Sequence, residues 1–288
     1  VICLQEVSHK WAGVLHPYFA SRGYHLVTGL YGAKFNGYMG VAVAVPTSKY
    51  EIMDVDITRV ADTKRMPRKP KAGYVQNIFN LISKTLVKLA VQLGWRKAPF
   101  DFWDNVLYRT NQMLCLRLQD KVDKKPFVIG TYHMPCMFRF PAVMVTHCAL
   151  SAQHIQRYAK EDPYVYVGDF NIKPDSSMYK LLTEGEIDSK HPEYPMIEEG
   201  DSWTPSVTPA LHSAYVTATG AEPDFTNYAK VQNEPIFCET LDYIFHSKDW
   251  KIDSVLELPH RDKVSGPLPN ESEPSDHILM SATMSINK

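Results

Sequence analysis

Apolar and polar residues alternate over several short stretches of the chain, and between them run stretches where apolar residues recur every third or fourth position. The first, VICLQEV, reads as a strand. Ser8 then stands where it can cap a helix in which Trp11, Val14, Leu15, Tyr18 and Phe19 recur at helical spacing, with Gly23 placed to end it. GVAVAVP (40–46) and YEIMDVDI (50–57) predict paired strands. NQMLCLRLQD (111–120) alternates, and KPFVIGTYH (125–133) reads as a buried strand. Pro141 opens a long helix to about Lys160, with Met144, Cys148, Ile155 and Tyr158 on one side. PYVYVGDFNIKPDSSMY (163–179) follows as strand, turn and short helix, and ETLDYIFHS (239–247), WKIDSVLELP (250–259) and HILMSATMSI (277–286) predict further strands. This order mixes adjacent strands with helix-linked ones. It predicts an α/β fold of two packed sheets of mixed strands flanked by helices, in one domain over residues 1–288, and not a doubly wound parallel sheet.

Two stretches stand outside that pattern. An insertion over about 59–110 carries the basic run KRMPRKPK (64–71) and then an amphipathic helix, YVQNIFNLISKTLVKLAVQLGW (74–95), with Ile78, Leu81, Ile82, Leu89 and Leu93 on its apolar side. Such a helix most often covers a sheet. With Lys84, Lys88 and Arg96 it also allows a peripheral surface contact, with a membrane or a partner, through 64–96. The basic run is either a solvated loop or a contact for a nucleic-acid backbone. The Pro-rich segment from about 191 to 235 reads as loops, the usual carriers of binding surfaces. Within these, Trp203, Phe225 and Tyr228 are candidates to stack a base, although burial is the commoner fate of aromatics.

Composition narrows the function classes. The 31 basic and 32 acidic residues of the 288 nearly cancel, which excludes a general polyanion binder and makes any nucleic-acid contact local. Five scattered cysteines without a CxxC pair argue against a disulfide framework or a zinc site and predict a reducing, intracellular compartment, the cytoplasm first. No signal-like segment and no apolar run long enough for a transmembrane helix is present.

Polar groups close several of the predicted strands: Glu6 after VIC, His133 after FVIG, Asp169 and Asn171 after VYV, Asp242 within ETLDYIF, and Asp276 and His277 just before ILM. Each alone reads as a solvated turn residue. Together they meet the needs of phosphodiester hydrolysis. A hard cation such as Mg2+ takes carboxylate oxygen and keeps waters that a phosphate can replace, a part Glu6 suits. Asp169 can orient a water, and Asn171, two residues along an extended chain, can donate to a phosphate oxygen from the same side. His133 and His277 are candidate proton carriers or oxyanion donors, and Asp242 can hold an imidazole in one tautomer. His147 and His154, on the long helix, have no acidic partner at ligand spacing and read as structural.

The set LQE, TYH, GDFN, LDYIF and SDH, in that order, resembles the signature of the endonuclease/exonuclease/phosphatase superfamily of Mg2+-dependent phosphoesterases. The resemblance runs from residue 1 to about 286 and implies a DNase I-like sandwich. It implies Glu6 as metal ligand with Asp276 supporting the metal region, Mg2+ as the ion and Mn2+ as the alternative. Asp169 and Asn171 would position nucleophile and phosphate, Asp242 would pair with His277, and His277 would bind or protonate the phosphoryl group. His133 stands where the family places a His or Tyr facing the scissile phosphate. Members carry an Asn on a strand before the LQE Glu; here the chain starts at the LQE strand, so the resemblance implies a fold lacking its first strand, with that strand expected upstream in the source protein. TYH and FTNY (225–228) are similar to the deadenylase, nocturnin, Angel and 2′,5′-phosphodiesterase branch, which implies a nuclease or phosphodiesterase acting on single-stranded RNA 3′ ends or a nucleotide. Two alternatives remain: a lipid or inositol-phosphate phosphoesterase, and a catalytically silent binding protein on the same fold.

Overall fold

Burial with a period of two fixes how the strands are layered. A computed structural model describes residues 1–34, 37–67, 74–95 and 101–287. Strands β1 (Ile2–Val7), β2 (Tyr24–Leu30) and β3 (Gly40–Pro46) form an antiparallel sheet in the order β1-β3-β2. A six-stranded sheet runs β4 (Tyr50–Arg59), β5 (Gln112–Asp120), β6 (Pro126–His133), β7 (Tyr164–Asp169), β11 (Asp242–His246) and β8 (His212–Ser213). Val41, Val43 and Val45 of β3 pack against Leu114, Leu116 and Leu118 of β5 and Phe127 and Ile129 of β6, which closes the two sheets into a sandwich. The intervening residues face outward to helices: Ala42 and Ala44 meet Ala12 and Phe19 of α1 (His9–Ala20), and Met113, Cys115 and Val128 meet α4 (Pro141–Ala159). The layers are therefore helix, sheet, sheet, helix, the two-sheet α/β sandwich that the strand order predicted.

The remaining α-helices and strands are α2 (Tyr74–Gln92), α3 (Phe102–Leu107), α5 (Ser177–Glu184), α6 (Ala214–Thr219), the small pairs β9 (Asn227–Ala229) with β10 (Phe237–Glu239), and β12 (Trp250–Val255) with β13 (Ala282–Ile286). Ser8 caps α1 as expected, its hydroxyl accepting from the Trp11 amide. Trp11, Val14 and Tyr18 of that helix nevertheless face solvent, because Ala12 and Phe19 meet the sheet.

Three expectations are corrected. β3 and β4 are not partners: β3 pairs with β1 and β2, while β4 pairs with β5 across the sandwich. The turn between them is tied to both sheets, by Thr47 Oγ1 donating to the Gly23 carbonyl (2.9 Å) and Lys121 Nζ donating to the Thr47 carbonyl (2.7 Å). ETLDYIFHS is two strands, since Thr240 and Leu241 leave β10 before β11 begins. HILMSATMSI is a strand only from Ala282, and Tyr24–Leu30, α3 and α6 went unread in the alternation.

The first cation of the basic run is not free, whereas Arg65 beside it is exposed. Lys64 is buried, with its Nζ 2.6 Å from Asp201 Oδ2 and over the rings of Trp103 and Trp203. Residues 68–71 of that run, and Arg96, lie outside the described residues. Trp203 packs edge-on to Trp103 and donates from Nε1 to Gln153, and Phe225 is fully buried, so both follow the structural fate of aromatics.

Candidate active site

Sheet register brings three of the strand ends together. β6 and β7 are parallel, with His133 opposite Asp169, and β11 is antiparallel to β7, with Asp242 opposite Asp169. The carboxyl ends of β6 and β7 and the start of β11 thus lie side by side at one end of the large sheet's strands. Gly168 allows the approach. Its φ of +148° and a Cβ position that would lie 1.9 Å from the Tyr132 carbonyl oxygen admit no other residue.

Asn171 does not continue an extended chain. Its φ is +53°, a left-handed conformation that Asn tolerates better than most residues. Its amide N–H donates to Asp169 Oδ1 (2.8 Å), so the segment is an Asx turn as well as a site. Asn171 Nδ2 donates to the Met134 carbonyl (2.9 Å), which fixes the side chain over the end of β6.

Glu6 arrives from the other sheet. A bulge between Leu4 and Val7 and a φ of +56° at Glu6 turn its exposed side chain out of the β1 alternation. Gln5 Nε2 donates to Thr131 Oγ1 (2.9 Å) and staples β1 to β6 just before His133. The charge of Glu6 is felt by His133 and Asp169.

His277 comes from the segment before β13. It bridges to Asn227, Ile278 donates to the Thr226 carbonyl (2.8 Å), and Thr226 Oγ1 accepts from the amides of Leu241 and Asp242 (2.9 and 3.0 Å). Thr226 thereby holds both partners of the closest pair in the site: His277 Nδ1 lies 2.7 Å from Asp242 Oδ2. His277 Nε2 is 3.9 Å and His133 Nε2 3.5 Å from Asp169 Oδ2. Asp276 takes a long contact (3.4 Å) from Asn227 Nδ2 and sits outside the tight group of Asp169, Asp242 and His277, whose ligand atoms lie within 4.8 Å of one another.

These environments separate the titrating groups. Burial, then the negative charge of Asp242, pushes the Asp169 carboxyl up to about 7, against the opposing pull of His277. Burial opposes charge on His277, but the hydrogen bond and charge of Asp242, with Asp169 and Asp276 behind, push it up to about 9. Burial lowers His133, and its Nδ1 is enclosed without a hydrogen-bond partner. At neutral pH the arrangement offers an imidazolium held by Asp242, a neutral imidazole at His133, and a carboxyl poised to take a proton at Asp169.

No lysine or arginine pairs with Glu6, Asp169, Asp242 or Asp276 among the described residues. The cationic side chain closest to these acids is the His277 imidazolium, which pairs with Asp242, while burial and then the charge of Asp242 raise the proton affinity of Asp169. Carboxylate oxygens at a strand-end site of this kind suit a hard divalent cation, with Asp169 and Asp242 beside His277 as the group that lies close enough to share one.

Reading the sequence left out Thr226, Asn227, Asn111 and Tyr31. Asn111 Nδ2 donates to the His133 carbonyl (2.8 Å) and reaches the Tyr31 hydroxyl (3.4 Å). FTNY pointed to Thr226 and Asn227 without giving them a task; nothing in the local pattern marks Asn111 or Tyr31. His147 is structural as expected, fully buried between the Val106 carbonyl (3.0 Å) and the Tyr132 hydroxyl (3.2 Å). His154 does have an acidic partner, Asp56 on β4, with Nε2 to Oδ2 at 2.7 Å. Cys115 lies beside that pair with its thiol pushed well up by burial.

Over an alignment 321 positions long, gaps included, the chain is 27% identical to the CCR4-Not complex 3′-5′-exoribonuclease subunit Ccr4 of Emericella nidulans, covering 99% of this chain and 45% of that protein. It is 26% identical over 185 residues to 2′,5′-phosphodiesterase 12 of Homo sapiens, covering 62% and 29%. The chain spans less than half the length of these relatives. Its fold is similar to the crystal structure of ANGEL2, described as a 2′,3′-cyclic phosphatase, with a TM-score of 0.69 at 22% identity over 99% of this chain and 82% of that one. The sequence profile of the Endonuclease/Exonuclease/phosphatase family matches residues 1–277, from β1 to the histidine that closes the Asp242 pair, and the chain belongs to that family.

Proposed function

We propose that the chain is a Mg2+-dependent phosphodiesterase, a nuclease that hydrolyses RNA 3′ ends by in-line attack of a water. The observation that carries this reading is the run from Asp242 through His277 to Asp169, 2.7 and 3.9 Å long, set beside carboxylates that have no lysine or arginine partner among the described residues. Glu6 would hold the cation, with Asp276 supporting the metal region, and the positive charge of the ion would offset the negative charge developing on the phosphoryl oxygens.

Asp169 orients the attacking water and accepts its proton, a task suited to a carboxyl whose proton affinity lies near neutral. His277, charged and fixed in orientation by Asp242, donates to a non-bridging oxygen. Asn171 has a second amide N–H beyond the one given to Met134, and that donor serves the same phosphate. His133 faces the reacting group from the end of β6 as a neutral donor or acceptor. RNA as substrate is supported by the exoribonuclease and phosphodiesterase relatives.

The test uses the full-length protein on a panel of poly(A) RNA, mixed RNA, DNA, 2′,5′-oligoadenylate, dinucleotides, sphingomyelin and inositol phosphates, with Mg2+ and with EDTA. Metal-dependent shortening of RNA from its 3′ end is expected. Asp169→Ala and His277→Ala should each lower the rate about 10³-fold, the middle of the range for a lost general acid or base. Parent-like rates in both variants, or hydrolysis confined to lipids or inositol phosphates, overturn the reading.

A further inference from the structure

α2 and α4 are both 19 residues long, yet the protein treats them differently. α4 buries most of its length against the large sheet. On α2 the residues Phe79, Ile82, Leu86, Leu89 and Leu93 recur at alternating spacings of three and four, which places them on one face, and each is half or more exposed. Trp95, just past the helix, is 80% exposed. The expectation that this helix covers a sheet is therefore overturned: its apolar residues stay exposed instead of packing on one.

The charge of the same segment is one-sided. Lys88 falls on the opposite side of the helical wheel from the apolar stripe, Lys84 and further lysines and arginines occur in and around the helix sequence, and no Asp or Glu occurs from Thr63 to Phe100 in a chain of net charge −1. We propose that α2 is a docking helix for an anionic lipid surface, lying flat with its stripe in the acyl boundary and its lysines at the headgroups. A phospholipid bilayer with acidic headgroups offers apolar area and negative charge in one plane, whereas RNA offers the charge without the area. The helix does not cross the bilayer, since no described helix is long and apolar enough to do so. At about 1.5 Å per residue it covers roughly 28 Å of surface, and Trp95 sits at its end where indole rings favour the interface. The catalytic groups contribute nothing to this contact, so the proposal stands apart from the proposed reaction.

The experiment is co-sedimentation of the full-length protein with vesicles of phosphatidylcholine alone or mixed with phosphatidylglycerol, at low and raised salt. Far-ultraviolet circular dichroism and melting are recorded for every variant as a check on folding. Binding to anionic vesicles, weakened by salt and absent on neutral ones, is expected, with a blue shift of emission that Trp95→Phe diminishes. Ile82→Glu with Leu89→Glu should abolish it in a folded protein. Lys84→Gln with Lys88→Gln should weaken it by about fivefold per charge. Equal binding to neutral vesicles, no binding to either, or full binding by the folded Glu variant overturns the proposal. So does self-association that the Glu variant removes, which would make a second copy the occupant, or binding to RNA alone that the Gln variant removes.

Discussion

A methyl group at Gly168 would lie 1.9 Å from the Tyr132 carbonyl oxygen, at a φ of +148° that side chains avoid. Gly168→Ala must push β7 away from β6 and separate His133 from Asp169. We expect a loss of about 3 kcal/mol in urea unfolding, from overpacking and backbone strain together. His147 gives a pH dependence with a definite sign. Burial lowers it to about 4, so between the usual histidine value of about 6.5 and about 4 the unfolded chain binds a proton that the folded one does not. The stability it contributes is complete above about pH 6.5 and is lost as pH falls toward about 4. Unfolding at pH 5 should therefore fall short of that at pH 7 by on the order of 1.5 kcal/mol from this group, and His147→Gln should flatten that part of the profile. At this scale the strand-end acids and histidines were legible because each interrupts an apolar alternation. Asn111, Thr226 and Asn227 were not, because their hydrogen bonds run to segments far off in sequence and a polar residue beside a strand looks the same whether it turns a chain or braces a histidine.

Among the elements, alternation tells where a strand is and not which strand it joins. β3 and β4 are separated by a turn short enough for a hairpin, yet β3 is buried on both faces while β4 keeps Met53, Val55 and Ile57 half exposed at the edge of the other sheet. That contrast was present in GVAVAVP, apolar throughout, against YEIMDVDI, which carries acids. The Lys64–Asp201 pair joins the stretch after β4 to the loop at Trp203, and both side chains are almost wholly enclosed. Asp201→Ala leaves an ammonium buried without its partner and should lower stability by about 3–5 kcal/mol in denaturant titration. A Lys64→Met, Asp201→Leu double variant should regain most of that loss, because neither charge then has to be desolvated. The sequence showed Lys64 only as the first of a basic run; its acid lies on a distant loop.

Across the whole molecule, the mixed order of strands carried the sandwich into view, and the family profile over residues 1–277 accords with it. The outward face of α2 was the part least open to sequence reading. A stripe of Phe, Ile and Leu at helical spacing has the same pattern whether it meets a sheet or is left bare, and only the placement of the helix distinguishes the two.

Because Glu6 belongs to β1 and His277 to the segment before β13, the candidate site joins parts of the chain far apart in sequence and cannot be complete until the later of them has been made. At a synthesis rate of about 5–20 residues per second, the histidine follows the glutamate out of the ribosome by on the order of half a minute. The β5–β6–β7 sheet can pair and collapse during that interval, while Asp242 waits for the imidazole that completes it. A chain cut short before His277 would lack the imidazole that pairs with Asp242, so the proposed reaction would have to wait for that segment.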